Sequence, residues 1–537
     1  KVFSGENPGF DCVLGNPPWE RIKLQEEEFC AVRDPQIARA LTKAMRQKLI
    51  DSLRESNPLL WNEFKFAKHG LESQSKFIRQ SNRFPFTGVG DVNTFAMFAE
   101  LAVKGISESG AAGIVVPTGV ATDDQLKEFF KFLIFQRKLI SLTGFENEDF
   151  IFPGIANVVR FCALVMGGKA LKAEKPVFSY YLRFFHQMGQ TDRFVPLSLD
   201  ELKLFNPNTI TSPLFRTKFD YALTKAIYDR FPVMRNEETK ENPWKISYNR
   251  MFDMATDSHL FKQSQEKETV PLYEAKLFWH FDHRFASYEL KGKIKGKGGR
   301  GLPEMPLENH QDPSYVVTPQ FWIEKSEVEK TVGNKWAKNW LLAYRKTSSA
   351  KLERTFVATI LPRVGVSDKA PLIFIEDEYI LMTSFLLANL NSICWDYIAR
   401  QKIGGTDISY FHIDQLPILP PSAYTPADID FITPRVLELV YTANDLRPFA
   451  EDMGYYGEPF RWDEVRRAQL RAELDAYYAR LYGLTRDELR YILDPKEVHG
   501  EDFPGETFRV LKEKEVKQFG EYRTRRLVLE AWDKLIM

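Results

Sequence analysis

The chain has 537 residues, 44% of them hydrophobic and 27% charged, an ordinary balance for globular protein and enough length for two to four domains with cores of their own. Its formal net charge is zero, which excludes a global basic signature, so any nucleic-acid surface must be local. Cys12, Cys30, Cys162 and Cys394 lie far apart with no CxxC spacing, which argues against a disulfide framework or a zinc site and fits a reducing cytoplasm; no run is apolar enough to span a membrane, and no signal peptide is evident.

The first element, Phe10–Leu14, reads as a buried strand that stops at Gly15-Asn16-Pro17-Pro18-Trp19. Two prolines cannot continue a strand's hydrogen-bond ladder, and each biases its predecessor towards extended backbone. The result is a stiff loop at the carboxyl end of a strand, where open α/β sheets bind ligands. The Asn16 amide oxygen and the Pro17 carbonyl are both acceptors. Two acceptors converging on one –NH2 group hold it and draw off developing positive charge, which suits methyl transfer to an amine conjugated with an aromatic ring. Trp19 offers a flat face to that ring.

These residues resemble the Asn-Pro-Pro-aromatic motif of amino-methylating class I methyltransferases, most closely the gamma-class adenine-N6 DNA methyltransferases. Trp is a less usual fourth residue there than Tyr or Phe. The family normally carries a Gly-rich cofactor loop ahead of this strand, and no FxGxG or GxGxxG element precedes residue 10. The expectation is therefore the C-terminal part of a longer polypeptide, without the front half of the cofactor site.

Residues 20–85 read as helices with polar faces, for example 36–54, dotted with Lys76, Arg79 and Arg83. A solvated insertion is one reading and a lid over the substrate the other. Asp91 is expected to cap a helix over 92–107 whose Phe95, Phe98, Ala99 and Ala102 form a core face. Next come a strand over 111–117, a helix over 122–136, and strands over 139–145 and 158–166. This alternation is the rear half of a doubly wound sheet, and it resembles the order of elements after the motif in gamma-class enzymes. In that family the aromatic before a loop proline stacks on the flipped base, and Phe152, before Pro153, matches it. A base removed from a duplex needs an aromatic or apolar sandwich, which Trp19 and Phe152 are expected to supply.

Residues 169–244 read as a connector with a strand-like stretch at 177–185. Beyond 245 the texture changes to short strands, aromatics and long loops. His280, Asp282 and His283 match no standard metal-ligand spacing and read as the polar tip of a strand. The run 291–301 threads five positive charges (Lys291, Lys293, Lys295, Lys297, Arg300) with glycine, and is expected to lie along phosphates. Arg345, Lys346, Arg354 and Arg363 mix phosphate-binding and base-reading side chains with neighbouring Ser, Thr and aromatics. An apolar helix over 382–398 then leads through Lys402-Ile403-Gly404-Gly405 and a strand over 408–413 to Leu416-Pro417-Ile418-Leu419-Pro420-Pro421. That succession is similar to the tail of target-recognition domains in restriction–modification specificity subunits and fused restriction–methyltransferase enzymes. Residues 426–537 read as mostly helical: 462–482 has apolar residues at i, i+3, i+4 and i+7, Thr485 caps the next helix, and Tyr522–Met537 starts with Arg523, Arg525 and Arg526.

The expected fold is α/β: the rear half of a class I, Rossmann-like methyltransferase sheet over 1–168 with a helical insertion at 20–85, a connector (169–244), an α+β target-recognition domain (245–421) and a helical C-terminal region (422–537). The resemblance implies a site-specific DNA adenine-N6 methyltransferase of restriction–modification or phage defence (BREX- or DISARM-like), using S-adenosylmethionine. Asn16 and Pro17 would hold the amine, Pro18 would stiffen the loop, and Trp19 and Phe152 would stack. Double-stranded DNA is the expected partner, contacted by the basic run, Arg345, Lys346 and Lys402, beside other subunits of a defence system. The rival readings are a methyltransferase for an RNA base or a protein glutamine, a non-catalytic DNA-recognition scaffold, and a restriction enzyme that also cuts, whose nuclease domain would have to lie upstream of Lys1.

Overall fold

The computed structural model describes residues 2–4, 7–40, 43–292, 301–501, 503 and 506–535. The chain forms two compact units, Lys1–Lys218 and Phe219–Met537.

The first unit is built on one six-stranded sheet: β1 (Phe10–Gly15), β2 (Ile106–Pro117), β3 (Leu139–Glu146), β4 (Arg160–Gly167), β5 (Val177–Leu182) and β6 (Val195–Pro196). Their spatial order is β1-β2-β4-β3-β5-β6. β1 and β2 are parallel, with Cys12 opposite Ala111 and Gly15 opposite Ile114. β4 runs antiparallel between β2 and β3, and β5 pairs parallel with β3. The sheet therefore continues past residue 168, and Val177–Leu182 and Val195–Pro196 of the expected connector belong to it. The core side chains come from the strands' alternating faces, such as Ala112, Ile114 and Val116 of β2, all buried.

β1 corrects the expectation of a buried strand. It is the terminal strand of the sheet, and among the described residues β2 is its only strand partner. Phe10, Asp11, Cys12 and Leu14 are exposed, Leu14 to 85%. An apolar run shows that a strand can be covered; its neighbours decide whether it is.

The segment between β1 and β2 is helical, as expected: α1 (Glu26–Arg33), α2 (Pro35–Ala38), α3 (Lys43–Ser56), α4 (Pro58–Gln80) and α5 (Thr94–Gly105). Asp34 and Asn57 cap α2 and α4, each just before a proline at the first helical position. Cys30, Ile37, Ile50, Leu53, Leu60 and Phe64 pack into a core of their own. Asn93, not Asp91, caps α5, its Oδ1 accepting from Phe95 N at 3.3 Å. Phe95, Ala99 and Ala102 of α5 are buried as expected, whereas Phe98 is exposed. α6 (Gly119–Thr122) and α7 (Lys127–Phe135) connect β2 to β3.

The second unit holds β7 (Ser247–Asn249), β8 (Thr269–Tyr273), β9 (Trp322–Glu324), β10 (Trp340–Tyr344), β11 (Ala358–Pro362), β12 (Gly365–Val366) and β13 (Leu372–Phe374). They form a sheet of order β11-β10-β13-β7 and another of order β12-β8-β9. The expected helix over 382–398 is two helices, Thr383–Asn391 and Ile393–Arg400, because Ser392 breaks off and caps the second through Trp395 N. Residues 410–414 are helical, not a strand: Ser409 accepts from the third helical residue, and His412 Nδ1 accepts from Ser409 N at 3.1 Å. Helix Glu464–Leu481 lies where the apolar spacing puts it, Arg486–Leu493 follows with Thr485 as its cap, and Arg523–Lys534 falls within the expected final helix.

The boundary at 421 does not separate compact units. Tyr478 Oη donates to Phe385 O (2.7 Å), Asn389 Nδ2 donates to Tyr482 Oη (2.8 Å), and Ile393 N donates to Asp475 Oδ1 (2.7 Å). The connector's end joins the same unit, through Tyr228 Oη on Gln415 O (2.7 Å).

Candidate active site

The loop after β1 carries the candidate chemistry. Asn16 and Pro18 are exposed, and Pro17 and Trp19 are half-buried. Among the described residues the Asn16 carboxamide has no hydrogen-bond partner. A Cβ at Gly15 would meet nothing within 4 Å, so there is open room beside it.

The loop is held from three sides. The Thr94 hydroxyl, at the start of α5, donates to Pro18 O (2.6 Å) and accepts from Glu20 N (3.0 Å), and Thr94 N donates to Glu20 O (2.9 Å). Trp19 Nε1 donates to Val115 O of β2 at 3.2 Å. Trp19 also packs with Val115, Ile151 and Phe152 against the buried group Phe145, Phe161 and Leu182. The backbone of Asn16–Trp19 is thus fixed by its neighbours while the Asn16 side chain stays open.

Trp19 and Phe152 meet, although 133 positions separate them. Their ring centroids are 6.0 Å apart and their planes cross at 82°. Phe161 lies 4.8 Å from Phe152 and 6.2 Å from Trp19. A sandwiched base needs parallel faces about 7 Å apart, two van der Waals contacts of about 3.5 Å. The observed pair is edge to face, which offers a ring face for stacking and no slot between the rings.

Phe152 is placed by Asn147, which lies one residue beyond β3 and is fully buried. Asn147 Oδ1 accepts from Phe152 N (2.8 Å), and Nδ2 donates to Phe152 O and Ile155 O (3.0 Å each). Sequence reasoning missed Thr94 and Asn147. The Asn93-Thr94 capping signal is legible, but the bond to a loop 76 positions away is not.

The expected DNA-contacting residues are dispersed. Lys293, Lys295, Lys297 and Arg300 lie outside the described residues. Lys291 is exposed, with Nζ 5.8 Å from the centroid of the Tyr288 ring. Arg345 is half-buried, its guanidinium 4.8 Å from the Trp279 ring centroid, and burial pushes its pKa down to about 10. Lys346 is half-buried next to it. Lys402 is an interior residue: its ammonium lies 4.9 Å from the Tyr228 ring centroid, and burial drives its pKa well below the usual lysine range. That position keeps it from an exposed phosphate track. Arg354 and Arg363 are structural, Arg354 pairing with Asp396 (2.8 Å) and Arg363 with Glu329 (2.6 Å).

His280, Asp282 and His283 are buried, and no group of three metal-ligating side chains occurs among the described residues. His280 Nε2 bonds Phe356 O (2.9 Å), while Asp282 pairs with His310 (3.3 Å) and His283 with Asp445 (3.0 Å). No helix among the described residues is long and apolar enough to cross a membrane.

No protein-family model matches the sequence, and no curated protein does. Several solved structures are similar, among them a restriction endonuclease and restriction-modification enzymes. The type IIG restriction endonuclease BpuSI is 13% identical, with 86% of this chain covering 52% of that one at a TM-score of 0.27. The type IIL restriction-modification enzyme MmeI, solved in complex with DNA, is 12% identical, with 97% covering 54% at 0.34. DrdV, in a DrdV–DNA complex, is 12% identical, with 78% covering 44% at 0.34. The chain spans about half the length of these proteins or less.

Proposed function

We propose that the first unit positions an exocyclic amine, the N6 of adenine in DNA, for methyl transfer. The observation that carries this reading is the loop Asn16–Trp19, clamped by Thr94 and Val115 yet presenting an uncommitted carboxamide at the carboxyl end of a parallel strand. Asn16 Oδ1 and Pro17 O accept hydrogen bonds from the two N–H groups of the amine. As the nitrogen attacks, its positive charge grows, and these two oxygens stabilise it more than they stabilise the neutral amine. The reaction is an in-line displacement dominated by positioning: the nitrogen–carbon bond forms as the carbon–sulfur bond of the donor would break, a neutral thioether would leave, and the nitrogen then gives one proton to water. The methyl donor the resemblance implies is S-adenosylmethionine, which supplies an electrophilic methyl carbon on sulfonium. Among the described residues no group lines the open space beside Gly15, so no holder for that donor is identified there. Trp19 or Phe152 supplies the ring face against which the extruded base lies.

The test is transfer of tritiated methyl from S-adenosylmethionine to unmethylated duplex DNA, with RNA and protein as parallel acceptors. Label on DNA with the wild-type chain and none with Asn16→Ala supports the reading. Label on RNA or protein alone moves the activity to those substrates, and DNA labelling unchanged in Asn16→Ala refutes the role of the loop.

A further inference from the structure

Directly beyond the motif loop lies a cleft of about 580 Å³ formed by residues 21–26, the start of α3, α4, and residues Asp91 and Val92. Six cations line it, Arg21, Lys23, Lys43, Lys68, Lys76 and Arg79, against three carboxylates, Glu26, Glu72 and Asp91. All six cations are exposed. Arg79 donates to Gly90 O at 2.5 Å. The other five side chains have no hydrogen bond or ion pair among the described residues, although the three carboxylates line the same cleft.

The pattern is not that of a solvated helix face stabilised by its own pairs. Lys68, Glu72 and Lys76 are spaced i, i+4, i+8 on α4, where opposite charges ordinarily pair. Here they stay apart, and the cations outnumber the anions two to one on a chain whose net charge is zero. Concentrated positive charge in a concave surface focuses the field on a polyanion.

The cleft is also tied to the motif. Arg21 comes two residues after Trp19 and forms a bridge with Asn93, and Ile22 N donates to Val92 O at 3.0 Å. Thr94, beside that bridge, holds Pro18 and Glu20. The five-residue path from Asn16 to Arg21 spans at most about 18 Å, roughly five nucleotides at about 3.4 Å rise per strand.

We propose that this cleft binds the sugar–phosphate backbone of DNA beside the base that the motif loop receives, with Lys23, Lys68 and Lys76 as phosphate contacts. The assignment rests on the reading of the loop for its choice of DNA, and on the charge and geometry of the cleft for its location. Lysines act there as point charges that track a backbone and read no sequence.

The experiment is duplex binding by the full chain at several salt concentrations, using a random-sequence oligonucleotide. The variants are the triple Lys23→Gln, Lys68→Gln, Lys76→Gln and a control triple of exposed lysines elsewhere in the unit, Lys172→Gln, Lys175→Gln, Lys203→Gln. Each phosphate contact contributes about 0.9 to the slope of log K against log salt. The cleft triple is expected to weaken binding at least about tenfold and reduce the slope by about 2–3, with the control triple near wild type. Equal behaviour of the two triples overturns the proposal. So does poly-glutamate that displaces DNA from the wild type at equal charge concentration, since the cleft would then be a site for acidic protein. The cleft effect without methylation by the wild type would overturn the proposed activity and leave the cleft standing. Methylation lost in Asn16→Ala, with no difference between the triples, would do the reverse.

Discussion

Asn147 and Phe152 are joined by two hydrogen bonds in opposite directions: Asn147 Oδ1 accepts from Phe152 N at 2.8 Å, and its Nδ2 donates to Phe152 O at 3.0 Å. A third bond, to Ile155 O, closes the loop. One fully buried carboxamide thus fixes the backbone from which Phe152 reaches Trp19.

Asn147→Ala removes all three bonds and leaves buried backbone groups unpaired. At about 1 kcal/mol for each bond, and more for groups stranded from water, the loss of stability is expected to be about 2–4 kcal/mol. Urea denaturation of the variant beside wild type measures it. Asn147→Asp keeps the acceptor and loses the donor, so it should also destabilise; a neutral result for both variants would contradict the role of Asn147.

Trp19→Phe keeps an aromatic body against Phe161 and Phe152 but loses the bond from Nε1 to Val115 O and part of the indole's packing, a cost of about 1–2 kcal/mol. Trp19→Ala removes the packing as well, and for this half-buried ring the cost is about 2–3 kcal/mol, below the range for a fully buried one. Denaturation midpoints of the two variants should fall in that order.

Leu14→Ser is expected to change stability by less than about 0.5 kcal/mol, because Leu14 is 85% exposed on the terminal strand. A loss of several kcal/mol would mean that β1 is covered after all. The same denaturation series decides.

Asp475 gives a pH dependence. Burial pushes its carboxyl up to about 6, against the pull of Arg354 and of the bond from Ile393 N. An unfolded Asp titrates near about 3.9, so between about pH 4 and 6 the folded state binds the extra proton. Stability falls as pH rises through that window, by about 2–3 kcal/mol in all, and the cost is constant above it. Asp475→Asn removes this fall, so the stability difference between variant and wild type should grow from pH 4 to pH 6 and then level off. A difference independent of pH would contradict the assignment.

Legibility in the sequence tracked the range of the physics. The strand ending at Gly15-Asn16-Pro17-Pro18, the strands within 106–117, 139–146 and 160–167, and helix 464–481 are set by local periodicity and by proline, and they are read from short windows. The exposure of β1 depends on what pairs with its outer edge, and no window of β1 contains that information. Residues 408–413 look like a strand by composition, yet the local cap of Ser409 and His412 tips them into a helix. The basic run stands out as a charge cluster in sequence. The cleft of Arg21, Lys23, Lys43, Lys68 and Lys76 assembles from three segments and is invisible until they fold together. Lys402 shows the converse, a lysine beside a Gly-Gly turn that folding takes into the interior.

The chemical identity of the methylated product tests the role of the Asn16 loop most directly. Unmethylated DNA incubated with S-adenosylmethionine and the full-length polypeptide that carries this chain is digested to nucleosides and analysed by mass spectrometry, beside Asn16→Ala. Asn16 is exposed and free of side-chain bonds among the described residues, so the variant should fold and bind DNA like wild type while its methylation rate falls at least about 10²-fold, the usual loss when a preorganised hydrogen-bond group in the transition state is removed. N6-methyladenine from the wild type, lost in Asn16→Ala, is the predicted result. Methylation of another base, or equal yields from both proteins, would contradict it.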